Sequence, residues 1–325
     1  MPVRRNILTD PDVRDGFVEG VLALNQQLTD VDTQQVGIQG PNTRLSTWDL
    51  FVLWHYFTMQ TPTPPGSQRN AAHRGPVFLP WHRWMLVLLE SQLQRVLGDD
   101  EFGLPYWDWA GDGDQPQAQQ PILPLWDQIG GSGFPVTTGP FAFDSTDPSS
   151  FRVRVAENVF TGRLQVVNRG LWRELGGEGS LPTTADVAIC LRRHDRYDRP
   201  PYDPSSNGGL RNELEGWVGE QIPGLHNRVH VWVGGDMGPG TSPNDPVFYL
   251  NHCNEDRLWE TWMVQAGRQY EPDDTAPDSL FRQRLNDPLL SMLTQAQPTI
   301  AQTLDHTGLV DPAQIPTYDV LPTLP

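Results

Sequence analysis

Cysteine is scarce in this chain. Cys190 and Cys253 are the two thiols in 325 residues, too few for a disulfide framework, so the fold must rest on its core, and buried free thiols are the expected state. Long apolar runs are missing as well. No stretch approaches the roughly 20 residues that cross a bilayer. The N-terminal MPVRRNILTDPDV has two arginines but no apolar segment behind them. No secretory signal peptide is read there, and location stays open between the cytoplasm and export with a partner. Positive charge is short too: 23 Lys plus Arg against 40 Asp plus Glu give a net charge of −17 and a pI of about 4.7. Such a surface repels phosphate backbones and anionic headgroups, which argues against nucleic acid and membranes as partners.

Aromatic and turn-forming residues are plentiful. A hydrophobic content of 37% with 12 Trp and 12 Phe can fill a sizeable core, while 31 Pro and 30 Gly require long irregular loops. Asp10-Pro11 reads as the N-cap and first-turn proline of a helix with Val13, Phe17, Val21 and Leu24 on its buried side. Ser46 caps a second helix, STWDLFVLWHYF, which the TPTPPG run at 61–66 terminates. A third covers about 80–97, with Trp81, Met85, Leu88, Leu89 and Val96 at helical spacing and Gly98 as C-cap. Another apolar helix follows Asp245-Pro246, and a short helical pattern lies near 279–296. Residues 110–205 carry a weak pattern and read as a loop-rich insert, within which 110–150 reads as irregular but packed through Trp126, Phe134, Phe141 and Phe143. A short tail, 300–325, closes the chain.

Six of the eight histidines form two groups. His226 and His230 lie i, i+4 apart, one above the other on one helix face, and His252 lies in the next apolar helix. His55, His73 and His82 make the other group, from the second helix, a loop and the third helix. His194 reads as a solvated residue in the charged loop 192–204, and His306 as a capping or surface residue in the tail. A lone buried histidine is usually a packed core residue, and one H-x-x-x-H pair is often accidental. Two trios in a chain poor in histidine are read as metal binding. The groups lie about 150 residues apart and each is incomplete without the other, which favours a single domain, 1–325. With no Asp, Glu or Cys at ligand spacing, the donor set suits zinc, copper, iron or nickel. Two facing trios fit a copper pair, whereas a trio with a water fits zinc hydrolysis. Spacing leaves both open.

Longer motifs discriminate between them. HRGPVFLPWHRWMLVLLE, from His73 to Glu90, resembles the first copper signature of the tyrosinase family. DPVFYLNHCNED, from Asp245 to Asp256, resembles the second, and LHNRVHVWVGG resembles the bacterial members. The likeness covers the N-terminal helix, 46–109 and 210–262, and is weak through 110–205. It implies a mainly α fold in which a four-helix bundle holds a dicopper centre, with 46–109 and 210–266 as the copper-binding core and long irregular loops around it. His55, His73 and His82 would hold one copper ion, and His226, His230 and His252 the other. O2 would be the co-substrate, and monophenols and o-diphenols would leave as o-quinones. The alternatives are a catechol or o-aminophenol oxidase that does not hydroxylate monophenols and, more remotely, a haemocyanin-like oxygen carrier. The partners implied are a small phenolic substrate and a copper-delivery protein of the caddie type.

The resemblance also assigns neighbours to the histidines. Glu215 and Asn227 match the Glu and Asn thought to hold a water that helps deprotonate monophenols, whose hydroxyl has a pKa of about 10. Phe248 matches the aromatic over the metals, Val231 the residue that gates access, and the Gly-rich loop 234–242 a mobile rim. Asp256 and Glu90 read either as groups that orient ligands or as ion-pair partners. Three departures stand out. Asn251 replaces the His that many members carry before the last ligand. Ala71 replaces the thioether-forming Cys of fungal and plant members. The segment between LEGW and LHN is about three residues longer than in bacterial members, which bears on the placing of Glu215.

Overall fold

The computed structural model describes residues 1–217, 224–306 and 308–323. Among them run ten α-helices: α1 (Pro11–Gln26), α2 (Thr47–Met59), α3 (Phe78–Leu97), α4 (Trp109–Gly113), α5 (Pro124–Ile129), α6 (Thr184–Arg193), α7 (Leu210–Glu215), α8 (His226–Val233), α9 (Val247–Ala266) and α10 (Ile300–Thr303). Six short strands are β1 (Val3–Arg4), β2 (Leu28–Asp32), β3 (Arg44–Ser46), β4 (Val153–Asn158), β5 (Arg163–Arg169) and β6 (Thr317–Tyr318). They pair as parallel β1–β6 and antiparallel β2–β3 and β4–β5. The fold is mainly α.

Local chemistry sets the helix ends. The Asp10 carboxylate accepts the Val13 N–H at 3.1 Å, which starts α1. Ser46 and Asp49 form a reciprocal capping box at the head of α2. Gly98, at φ 67°, ends α3 by returning its N–H to the Gln94 carbonyl. α2 is buried on nearly every side from Trp48 to Tyr56, so it is an internal helix. α3 packs against α1 and α9, and α8 packs against α9. Within the core, Trp54 lies against Trp81 and Trp84 with ring centroids 4.8 and 5.0 Å apart.

Every one of the 23 basic residues is arginine, and several act as buried staples. Arg4 on β1 donates to Glu90 at 3.0 Å and to Asp256 at 3.0 Å, and Arg83 donates to Asp256 at 2.5 Å. The Tyr318 hydroxyl on β6 reaches Asp256 at 2.5 Å. Planar, multiply donating guanidinium groups suit such sites. This knot ties both ends of the described chain to α3 and α9. Glu90 and Asp256 are therefore ion-pair residues, and Asp256 is saturated by partners other than His252. Both thiols are free and buried.

Several expectations are corrected. Val13 is only half-buried on α1. α3 begins at Phe78, two residues before the expected start, with Pro80 in its first turn. The insert 110–205 is more regular than expected, because it contains α4, α5, α6 and the β4–β5 hairpin. Buried Val153 and Val155 alternate along β4, and Gly162, at φ 65°, supplies the turn. Trp126 and Phe141 are buried, but Phe134 is 60% exposed. No α-helix spans 279–296: the Asp287 carboxylate takes the N–H groups of Gln283 and Arg284, and Pro288 follows it. His194 is not solvated but buried against Glu213, and its carbonyl accepts the Trp262 indole N–H at 2.8 Å. His306 is buried as well, at φ 61°.

Candidate metal centre

The fold brings the six histidines together in two trios. His55 lies in the last turns of α2, His73 in the loop before α3, and His82 in its second turn; their candidate ligand atoms lie within 4.8 Å of one another. His226 and His230 project from one face of α8, and His252 from α9, within the same limit. The trios share one hollow. The rings of His82 and His252 stack across it at 4.1 Å and 5° between planes. Phe248 is 1% exposed, and its ring lies 5.0 Å from His55, 5.9 Å from His230 and 4.2 Å from His252, so it packs against both trios.

The unpartnered atoms show what the hollow fits. Nε2 of His55, His82, His226, His230 and His252 and Nδ1 of His73 are buried without a hydrogen-bond partner. Such orphans are rare in a folded interior and call for a ligand. In four of the six rings the opposite nitrogen is held. Nδ1 of His55 lies 2.8 Å from the Gly240 carbonyl, that of His82 2.8 Å from Phe78, and that of His230 2.6 Å from Met237. His226 Nδ1 lies 3.2 Å from the Glu215 carbonyl and 3.0 Å from Asn227 Oδ1. A carbonyl at Nδ1 fixes the proton there and leaves Nε2 with a lone pair for a metal. Burial also keeps the rings neutral, lowering His55 to about 3 and His230 to about 4 and the other four well below the ordinary imidazole range. The residues present fit a pair of imidazole-bound metal ions.

Loop 234–242 grips a histidine from each trio through its Met237 and Gly240 carbonyls. The loop is itself pinned by Arg169, which donates to Asp236 at 2.7 Å, and by Glu157, which accepts the Gly240 N–H at 2.6 Å. Close approach forces glycine here: a Cβ on Gly235 would lie 2.0 Å from the Trp172 carbonyl oxygen. Glu157 and these two carbonyls escaped the sequence reading, because a carbonyl has no side-chain signature and Glu157 lies in the insert. Glu255 escaped it too, although its position three residues after His252 on one helix was a readable signal. Its Oε2 lies 3.1 Å from His252 Nδ1, not aligned as a hydrogen bond, and burial, then the Glu215 charge, pushes its carboxyl well up.

The other expected residues lie around this hollow. Glu215 is fully buried, its Oε1 accepting the Arg74 N–H at 2.6 Å and its Oε2 the Arg211 guanidinium at 3.1 Å. Burial raises its pKa, and Arg211 partly offsets that. Asn227 spends its amide oxygen on His226. Val231, one residue past His230, is 48% exposed. Asn251 is buried with both side-chain polar atoms unpartnered, and Ala71 offers no thiol to His73. The lengthened segment after Trp217 lies largely outside the described residues.

Residues 45–265 match the family described as the common central domain of tyrosinase. The chain belongs to the tyrosinase family. It is 39% identical over 270 residues to a tyrosinase of Streptomyces lincolnensis, covering 80% of this chain and 87% of that one. It is 37% identical over 318 residues to a tyrosinase of Streptomyces glaucescens, covering 95% and 97%. A polyphenol oxidase variant from Thermothelomyces thermophila shares the fold, with a TM-score of 0.69 at 23% identity over 98% of this chain and 88% of that one. Membership makes the chain a copper-dependent oxidoreductase of the type 3 dicopper class, with two histidine trios able to hold metal.

Proposed function

We propose that this protein, acting as one domain, uses O2 to hydroxylate monophenols and to oxidise o-diphenols to o-quinones, with His55, His73 and His82 holding one copper ion and His226, His230 and His252 the other. The observation that carries the reading is the pair of neutral imidazole trios meeting at the His82–His252 stack. When bound, the copper pair supplies the binding and activation of O2 and the electron transfer. The chain's own residues do the rest. Phe248 floors the hollow with an apolar ring that packs against flat aromatic substrates and keeps water out. Val231 stands at the rim, where its modest apolar side chain admits uncharged rings. Glu215 is buried beside the second trio with a raised pKa, so its carboxylate is a better base for a phenol proton than a solvated one. Asn227 and the Glu215 carbonyl hold the His226 ring.

One observation favours a narrower activity. The Glu215 carboxylate is ion-paired with Arg211 and also accepts the Arg74 N–H, which makes it a weaker base for a phenol proton than an unpaired buried carboxylate would be. That arrangement suits oxidation of catechols or o-aminophenols without hydroxylation. Because the histidines are buried, copper reaches them only through the fold, and a caddie-type delivery protein is proposed for that step. Oxygen uptake by copper-loaded protein with 4-methylphenol, 4-methylcatechol and o-aminophenol separates the readings. Quinone from the monophenol supports full tyrosinase activity, quinone from the catechol alone supports the narrower one, and reversible O2 binding without turnover overturns both. Full copper uptake by the isolated chain removes the delivery partner.

A further inference from the structure

The rim beside His73 carries an arginine that the proposed chemistry does not use. Arg74 follows His73 directly and sits at φ 62°, a left-handed conformation that a non-glycine residue keeps only where its surroundings over-determine it. The cause is visible, because its N–H is held by the buried Glu215 carboxylate at 2.6 Å. With the backbone fixed, the exposed side chain turns to Trp217, and its guanidinium lies 4.7 Å from that ring's centroid. Trp217 is 37% exposed and two residues past Glu215. Arg74, Trp217 and Val231 are thus exposed residues that neighbour the centre in the chain, whereas His55 is 1% exposed.

This guanidinium is unlike the other arginines of the site. Arg211, Arg169 and Arg173 are each spent on a buried carboxylate. Among the described residues, no carboxylate or carbonyl accepts a hydrogen bond from the Arg74 guanidinium. Stacking on an indole restricts the group while leaving its N–H edge open, and that forked edge matches a carboxylate. The protein as a whole, at −17, repels anions, so a guanidinium with no carboxylate partner among the described residues, next to a candidate metal-site histidine, is a local exception. A phenol that places its hydroxyl in the hollow leaves its para arm pointing to the rim.

We propose that Arg74, braced on Trp217, is a specificity residue that binds the carboxylate of phenols carrying an acidic para arm. The inference deepens the oxidase reading and rests on it. The test compares 3-(3,4-dihydroxyphenyl)propanoate with its methyl ester on copper-loaded wild-type, Arg74→Gln and Arg74→Lys proteins. The acid-to-ester ratio of kcat/KM should fall about tenfold in Arg74→Gln, as expected for loss of a charge-assisted contact at a partly exposed site, and less in Arg74→Lys. Equal losses on acid and ester, or an unchanged ratio, overturn the proposal. Benzoate titrated into metal-free protein reads the same subsite without turnover, and its affinity should drop severalfold in Arg74→Gln, with no change counting against the subsite. If the wild type fails to oxidise even the ester, the oxidase reading falls, and the benzoate titration decides the subsite alone.

Discussion

The neutral state of the trios makes a quantitative prediction for the metal-free protein. His55 is held at about 3 in the folded chain by burial, against about 6.5 for an unfolded histidine. The unfolded chain therefore takes up this proton first. The contribution of His55 is fully present above about pH 6.5 and is lost as pH falls from there toward 3. Between pH 7.5 and 5.0 the loss is about 1.5 pH units, or about 2 kcal/mol. Other groups act in the same window with opposite sign: burial pushes the Asp198 carboxyl up to about 6, so the folded chain gains from protonating it. The raw pH slope thus mixes signs, and a difference measurement is needed. Urea unfolding of metal-free wild type and His55→Asn at both pH values supplies it. Acidification should cost the wild type about 2 kcal/mol more than the variant. A difference below about 0.5 kcal/mol would refute the claim that His55 is buried and neutral. Copper loading at pH 7.5 should blunt the loss, because a metal-bound nitrogen cannot take a proton until the metal leaves.

Asp256→Asn leaves Arg4 and Arg83 buried with less compensating charge and should cost about 3–5 kcal/mol in urea unfolding at pH 7. Because the folded Asp256 pKa is lowered, that gap should narrow as pH drops below about 4. Phe248→Ala empties the floor between the trios and should cost about 3–4 kcal/mol in the same assay, a neutral result meaning that the ring does not pack there. Glu157→Gln loosens the Gly240 peptide that holds the His55 ring. Chelator competition should show roughly tenfold weaker copper binding, with the loss confined to one of two sites.

The sequence by itself marked the helix starts at Asp10 and Ser46, the Gly98 stop and six histidines as ligand candidates. Those signals are local: a cap needs three residues and an i, i+4 pair needs one turn. It did not reveal that Gly240 and Met237 would turn carbonyls onto His55 and His230, or that Glu157, 102 residues from His55 in the chain, would brace one of those peptides. It read His194 as solvated because the neighbouring residues are charged, whereas Glu213 and Trp262 enclose it from elsewhere. Backbone acceptors look alike in any sequence, and burial is a property of what packs on a residue. The candidate metal-binding side chains were therefore open to a linear reading, while their facing arrangement, their burial and the exposure of Arg74 were decided only when distant segments closed around one hollow.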